Sequence, residues 1–391
     1  MSQIYFNYPA FPANLIGLRK AKCKYIVPLE VAITTTMKKG KLVLKDGHTF
    51  EGKIFGAEKS GAGEVVFSTG MVGYPESLTD PSFEGQLLTF TYPLIGNYGV
   101  SNDKNDKFGV SEQFESSRVH VHGVVVSEYS ENFSHWHAKK SLSDFLKEAD
   151  VPGITGIDTR ALTKILRDKG CMLGKIVVED EDVPYYDPNA ENMIPRVSPR
   201  KPETYEAGKK RLVVIDCGVK NNTLRHFLNR NITLIRVPWD YDFVEAGVKF
   251  DGVFVSNGPG DPALLTKTVE IIKKCFALKV PVFGICLGNQ LMGIAGGAKT
   301  YKLKYGHRAQ NQPCMDLETG RCYMTSQNHG FAIEKKSLPR DWKVWFEHVN
   351  DKTIEGIKHS KHPFMAVQFH PEACPGPVDT ENLFDQFIQK L

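Results

Sequence analysis

Apolar and polar positions along the chain follow two rhythms, and the change comes near residue 210. Before it, short alternating or apolar segments dominate. Lys41-Leu42-Val43-Leu44, the Asp46-Gly47 turn and Thr49 to Phe55 predict a hairpin. Glu64 to Phe67, Gln86 to Thr91 and Val119 to Val126 predict further strands. Two segments have helical spacing instead: Ser141 to Ala149, with Leu142, Phe145 and Leu146, and Asp158 to Asp168, where an Asp cap precedes Leu162, Ile165 and Leu166. From Arg211 strands and helices alternate. The strands are Leu212 to Ile215, Thr233 to Val237, Gly252 to Ser256 and Val280 to Ile285, with helices around Asn222 to Asn229 and Lys267 to Leu278. Such near-continuous apolar strands predict a mostly parallel sheet covered by helices on both faces. A final helix would pack Leu383, Phe384, Phe387 and Ile388. The expected class is α/β, a strand-rich N-terminal domain followed by this sheet domain.

Between the two regimes the composition shifts. Acidic Glu179 to Asp182 is followed by Pro184, Pro188, Pro195, Pro199 and Pro202 with no periodicity. Proline density marks the domain boundary here. The expected division is an extension at 1–40, a domain at 41–185, a linker at 186–210 and a second domain at 211–391.

A length of 391 residues is too much for one ordinary core. The formal net charge of +4 is small for that length and argues against a nucleic-acid or membrane surface. No apolar run approaches a transmembrane span. The eight cysteines show no C-x-x-C pair and read as reduced thiols. The first 29 residues hold Arg19, Lys20, Lys22 and Lys24 and no acid, which fits a mitochondrial transit peptide; Pro9, Pro12 and Pro28 fit a disordered extension instead. A cytoplasmic location is the expectation, with a mitochondrial one as its alternative.

The chemistry gathers at strand ends, where catalytic groups of parallel sheets collect. Gly284-Ile285-Cys286-Leu287-Gly288 has the form of a nucleophile elbow, with the cysteine between strand and helix and glycines two residues to either side. The backbone N–H of Leu287 and the helix N-terminus would face whatever the sulfur attacks and favour thiolate. Read alone, Cys286 is either that nucleophile or a buried structural thiol. Ser256-Asn257-Gly258-Pro259-Gly260-Asp261-Pro262 follows another strand, and its bare loop is either an ordinary turn or the second half of an oxyanion hole. Val367-Gln368-Phe369-His370-Pro371-Glu372 offers a base with a carboxylate to orient it. Thr325-Ser326-Gln327-Asn328-His329-Gly330-Phe331 reads as a polar loop, suited to an amino-acid head group or simply to a turn. His120-Val121-His122 and His135-Trp136-His137 pair histidines on one strand face, but nothing completes a ligand set, so no metal is expected.

In this order, GICLGNQ, SNGPGDP, SQNHGF and QFHPE closely resemble the class I, triad-type glutamine amidotransferases across 211–391. The first half distinguishes among them. Gly63 to Phe67, Thr69 to Glu76, Leu78 to Ser82, Thr91 to Gly99 and Ile157 to Thr163 resemble the N-terminal domain of the carbamoyl-phosphate synthase small subunit, with the animal glutamine-dependent forms nearest in character. The resemblance implies that Cys286 attacks the glutamine side-chain amide, that His370 carries the proton from thiol to departing ammonia, and that Glu372 orients His370. It implies an oxyanion site at the N–H groups of Leu287 and Gly258, and a glutamine site including Gly260, Gln290, Asn328, Gly330 and Phe331. Ser82 would either reach in from the N-terminal domain or serve only its own turn. The family's ammonia passes to an ATP-grasp synthetase in pyrimidine or arginine biosynthesis; ATP and Mg are expected only on that partner, and no cofactor in this chain. No such domain precedes Leu391, so a free-standing small subunit and a piece of a fused enzyme are both expected forms. A non-catalytic docking module that kept the fold, or an amidotransferase of another pathway, are the competing readings; the first predicts a damaged triad, the second a different 41–185 half.

Overall fold

In the computed structural model, which describes residues 37–391, the first half rolls into a closed barrel and the second spreads into a ten-stranded sheet. The barrel order is Lys39–Leu44, Met172–Val178, Gly61–Ser68, Gln86–Phe90, Gly123–Val125, Pro152–Thr155 and Thr49–Gly56. Closure pairs every strand edge, and inward residues such as Leu42, Leu44, Val65, Leu87, Val125, Ile154 and Ile176 fill the interior. Helix Thr159–Lys169 closes one end, its first turn capped where Asp158 accepts from the Ala161 N–H at 2.8 Å, with Leu162 and Leu166 turned into that core.

The sheet runs Glu203–Tyr205, Ile232–Pro238, Lys210–Asp216, Gly252–Val255, Val282–Ile285, Phe364–Val367, Ile354–His359, Trp342–His348, Thr300–Asp316 and Cys322–Ile333. From Ile232–Pro238 through Phe364–Val367 the neighbours are parallel; the strands beyond are antiparallel. Alternation explains the apolar runs. Val213 and Ile215 enter one apolar cluster while Leu212 and Val214 enter the cluster on the opposite face, so every position from Leu212 to Asp216 is buried. Among the described residues no helix is long and apolar enough to cross a membrane.

Several segments differ from expectation. The Val119 to Val126 strand shrinks to Gly123–Val125, although Val119 and Val121 remain in the core. The proline-rich 186–210 segment is built into the fold: Ile194 is fully buried and Glu203–Tyr205 pairs antiparallel at the sheet edge. The polar SQNHGF segment, expected as a loop, lies inside the strand Cys322–Ile333, paired to the unexpected 17-residue strand Thr300–Asp316. Of the 1–40 extension, Lys39 and Gly40 begin the first strand, and the basic segment read for targeting lies outside the described residues.

Candidate active site

Four strand ends converge on Cys286. The strand Val282–Ile285 delivers it and helix Leu287–Gly296 leaves from it, with Cys286 at φ 55° and ψ −103°, a backbone state that an L-residue holds only under constraint. The constraint is visible. The Cys286 N–H donates to the Val367 carbonyl at 2.8 Å, and the flanking glycines permit close passage. A Cβ on Gly288 would lie 2.1 Å from the Val255 carbonyl oxygen, and one on Gly284 would lie 2.7 Å from the Gly288 backbone. Leu287 opens the helix, so its N–H has no intrahelical acceptor. Gly258 is equally obligatory, since a Cβ there would meet the Cys217 carbonyl at 2.0 Å.

The strand Phe364–Val367 runs beside the elbow strand and carries the other two residues just beyond its end. His370 Nδ1 and Glu372 Oε1 are 2.6 Å apart, both groups almost completely buried. The His370 N–H donates to the Ser326 carbonyl at 2.8 Å, which fixes the loop against the neighbouring strand. Nε2 is buried and makes no hydrogen bond, with Cys286 close enough to act on it. The thiol itself is directed at the Asn328 carbonyl, 3.6 Å away.

Burial opposes charge on His370, but Glu372 and then Cys286 outweigh it and push the imidazole up to about 10. Burial likewise opposes charge on Glu372; the His370 and Lys220 charges overcome it and bring the carboxyl down to about 2. The signs set a pH window. The Glu372 contribution to stability is complete above its ordinary 4.5 and is lost as pH falls through about 2. The His370 contribution is complete below its ordinary 6.5 and is lost as pH rises through about 10. In urea unfolding, the coupling between His370→Gln and Glu372→Gln should therefore be greatest near pH 6 and decline toward pH 10. A coupling that stays flat across that range would contradict the ion pair.

One cavity brings together Ser82, Gly258, Gly260, Cys286, Gln290, Asn328, Gly330 and Phe331. Gln290 is held by its Nε2, which donates to the Phe331 carbonyl at 2.9 Å and to Gln368 Oε1 at 3.2 Å. Ser82 follows Asp80, which caps its turn through the Ser82 N–H at 2.9 Å. The Ser82 hydroxyl accepts from Asn257 Nδ2 at 2.9 Å, so the barrel domain's turn is fastened to the SNGPGDP segment. Asp80 also accepts from Asn328 Nδ2 at 3.2 Å.

Lys220 is the important residue that sequence reasoning missed. It lies 3.4 Å from Glu372 and 3.9 Å from Glu115, which the barrel half contributes, and all three are buried. Burial lowers its affinity for a proton, yet the Glu372 and Glu115 charges more than reverse this and raise it. The signal was available: Lys220 follows the strand Lys210–Asp216 at its carboxyl end, where the other site residues were sought.

Of the paired histidines of the first half, His120 Nδ1 meets Glu84 at 2.7 Å and His122 Nδ1 meets the Ala62 carbonyl at 3.2 Å, while His135 and His137 are exposed. A separate cluster of His307, His329 and Glu355, with His348 and Asp351 beside it, has metal-like spacing. Its histidines are engaged with neighbours: His307 with Asp351 at 2.7 Å, His329 with Gln327 at 3.0 Å and His348 with Gln312 at 2.8 Å.

The elbow, the base and the cavity place the second half in a known class: residues 213–390 match the family model "Glutamine amidotransferase class-I". Residues 42–176 match "Carbamoyl-phosphate synthase small chain, CPSase domain". The chain is 46% identical over 370 residues to the carbamoyl phosphate synthase arginine-specific small chain of Saccharomyces cerevisiae, an alignment covering 92% of this chain and 90% of that one. It belongs to the carbamoyl-phosphate synthase small-chain family. It is also 50% identical over 376 residues to the multifunctional protein pyr1-3 of Dictyostelium discoideum and 49% identical over 354 residues to the multifunctional protein CAD of Squalus acanthias. These alignments cover 90% and 89% of this chain but only 17% and 16% of those much longer proteins.

Proposed function

We propose that the chain hydrolyses L-glutamine to glutamate and ammonia through Cys286, His370 and Glu372, and that the ammonia is consumed by an ATP-dependent synthetase to make carbamoyl phosphate. The observation that carries this reading is the strained Cys286 at the head of a helix, beside a buried His370–Glu372 pair. Cys286 Sγ, its proton already passed to His370 in that charged pair, attacks the side-chain amide carbon. The Leu287 and Gly258 N–H groups receive the charge that develops on the carbonyl oxygen. His370 then gives the proton to the departing ammonia, and water cleaves the glutamyl thioester to release glutamate and the thiol. Glu372 stays ionised and fixes which nitrogen of His370 faces the sulfur.

The synthetase would be a large ATP-grasp subunit or a domain of the same polypeptide, and ATP and Mg would bind there. Relatives of both organisations, a separate small chain and long multifunctional proteins, support such a partner. The product would serve arginine or pyrimidine synthesis. Treatment with an electrophilic glutamine analogue should attach one equivalent to Cys286, found by peptide mass spectrometry, and L-glutamine should slow it. Label on another cysteine, or no protection by glutamine, would refute the mechanism.

A further inference from the structure

Glu355, in the strand Ile354–His359, is completely buried, and among the described residues no lysine or arginine pairs with it. Its Oε2 makes no hydrogen bond. Oε1 faces the Thr353 hydroxyl at 3.2 Å, but that hydroxyl has one proton, and Asp351 Oδ1 takes it at 2.8 Å. Two imidazoles from two other strands stand opposite the carboxylate. His307 Nδ1 of Thr300–Asp316 lies 3.3 Å away, and His329 Nε2 of Cys322–Ile333 lies 3.8 Å away.

Both rings turn a lone pair inward. The Asp351 carboxylate accepts from His307 Nε2 at 2.7 Å, which places the ring proton there and leaves the buried Nδ1 without a partner. The Phe331 carbonyl accepts from His329 Nδ1 at 2.9 Å, so Nε2 directs its lone pair at Gln327 Oε1, 3.0 Å away. The Gln327 amide is held in that sense. Its Nε2 donates to Thr325 Oγ1 at 3.1 Å and to Cys314 Sγ at 3.3 Å, while Thr325 gives its own proton to the Gln312 carbonyl at 2.8 Å. A second proton on His307 would answer one oxygen and leave His329 Nε2 and Glu355 Oε2 as they are. Converging lone pairs around a buried carboxylate are explained by a cation among them. Imidazoles whose outer N–H is held by a carboxylate or a carbonyl are oriented as metal ligands are.

We infer that His307 Nδ1, His329 Nε2 and the Glu355 carboxylate bind one divalent transition-metal ion of the zinc type. Two neutral imidazoles and a carboxylate suit zinc, whose tetrahedral ligands lie roughly 3.3 Å from one another. The distances to Glu355 are close to that edge, and all three ligand atoms fall within 4.8 Å. Gln327 Oε1 is a further oxygen at ligand-to-ligand distance from His329. The ion's two charges balance Glu355 and Asp351, and the half-exposed Asp351 opens the cluster to solvent on its side. The ion ties three strands together and fixes His329, whose neighbours Asn328 and Gly330 line the cavity of Cys286. Its role is structural and it touches no reacting atom. No local pattern announces the set, because each ligand comes from a different strand.

The test strips the full chain with EDTA, incubates it with Zn²⁺ and removes the excess by gel filtration. The parent should then carry about one equivalent by elemental analysis, and Glu355→Gln and His307→Gln almost none. Asp351→Asn, which reaches the ion only through His307, should bind Zn²⁺ about 10- to 100-fold more weakly. It changes a half-exposed side chain, so it carries the test where a buried substitution fails to fold. Co²⁺ in place of Zn²⁺ should give the visible bands of a tetrahedral ion without the near-ultraviolet charge-transfer band of a thiolate ligand. Cys286→Ser should bind as the parent does, which separates this site from an ion held by Cys286 and His370. A parent chain that keeps no Zn²⁺ would overturn the inference. So would a thiolate band, or affinity unchanged in Asp351→Asn. These measurements read metal alone and hold whatever the substrate.

Discussion

Cys286→Ser should abolish glutamine-dependent ammonia release, lowering kcat by roughly 10⁴-fold or more, as loss of the nucleophile does in other triads. The substitution exchanges one buried atom in a backbone that is already fixed. The φ of 55° is imposed by the 2.8 Å bond to Val367 and by the packing of Gly284 and Gly288, none of which involves sulfur. A serine hydroxyl in the same place is far harder to ionise, and the His370 pair was tuned around a thiol. Stability should therefore change by no more than about 1 kcal/mol, within the range of single conservative replacements. Glutamine should still bind, since Gln290, Gly330 and Phe331 are untouched, so equilibrium binding would survive while turnover does not. Ammonia release at near-parental rate by the serine variant would remove Cys286 from the mechanism.

The same contrast between chemistry and scaffold explains what could be read from the sequence. Strands Lys210–Asp216, Gly252–Val255 and Val282–Ile285 were legible because both of their faces are buried, and burial on both faces leaves a continuous apolar run. The elbow was legible because backbone strain and close passage demand glycine at fixed offsets. Strand Cys322–Ile333 was misread as a loop for the opposite reason. Its buried positions include Ser326, Gln327 and His329, polar residues that meet the Pro375 carbonyl, Cys314 of the neighbouring strand and one another, so no apolar alternation shows. Thr300–Asp316 hides in the same way, with Lys302 and Arg308 facing the cavity. The helix Tyr74–Thr79 spans six residues, too few to display a helical period, and it depends on Pro75 at its start. Charged residues whose partners come from distant segments leave no local pattern. Glu115, Lys220 and Glu372 are of this kind: each is unremarkable in its own stretch of chain, and only the fold brings them together.

Lys220→Met should be the most destabilising single change at the site that leaves the triad itself intact. The ammonium sits between two buried carboxylates, at 3.4 Å from Glu372 and 3.9 Å from Glu115, and it also donates to the Ala373 carbonyl. Removing one partner of a buried charge group costs about 3–5 kcal/mol, because the remaining charges stay desolvated. Here Glu115 retains Arg225 at 3.2 Å, so the greater share of the penalty falls on Glu372. That carboxyl is held down by His370 and Lys220 together; without Lys220 it should rise and take up a proton at higher pH. A protonated Glu372 no longer favours the charged imidazole, and His370 loses part of the force that raises it. Two results should therefore appear together: a lower urea midpoint at pH 6, and an acid limb of Cys286 alkylation shifted toward neutral pH. Lys220→Arg should restore much of the second. A purely structural lysine would lower the midpoint and leave the alkylation profile where it was, and an unchanged midpoint would show that the two carboxylates do not depend on it. Because Glu115 belongs to the barrel half and Glu372 to the sheet half, Lys220 is also where the packing of one domain on the other meets the electrostatics of His370.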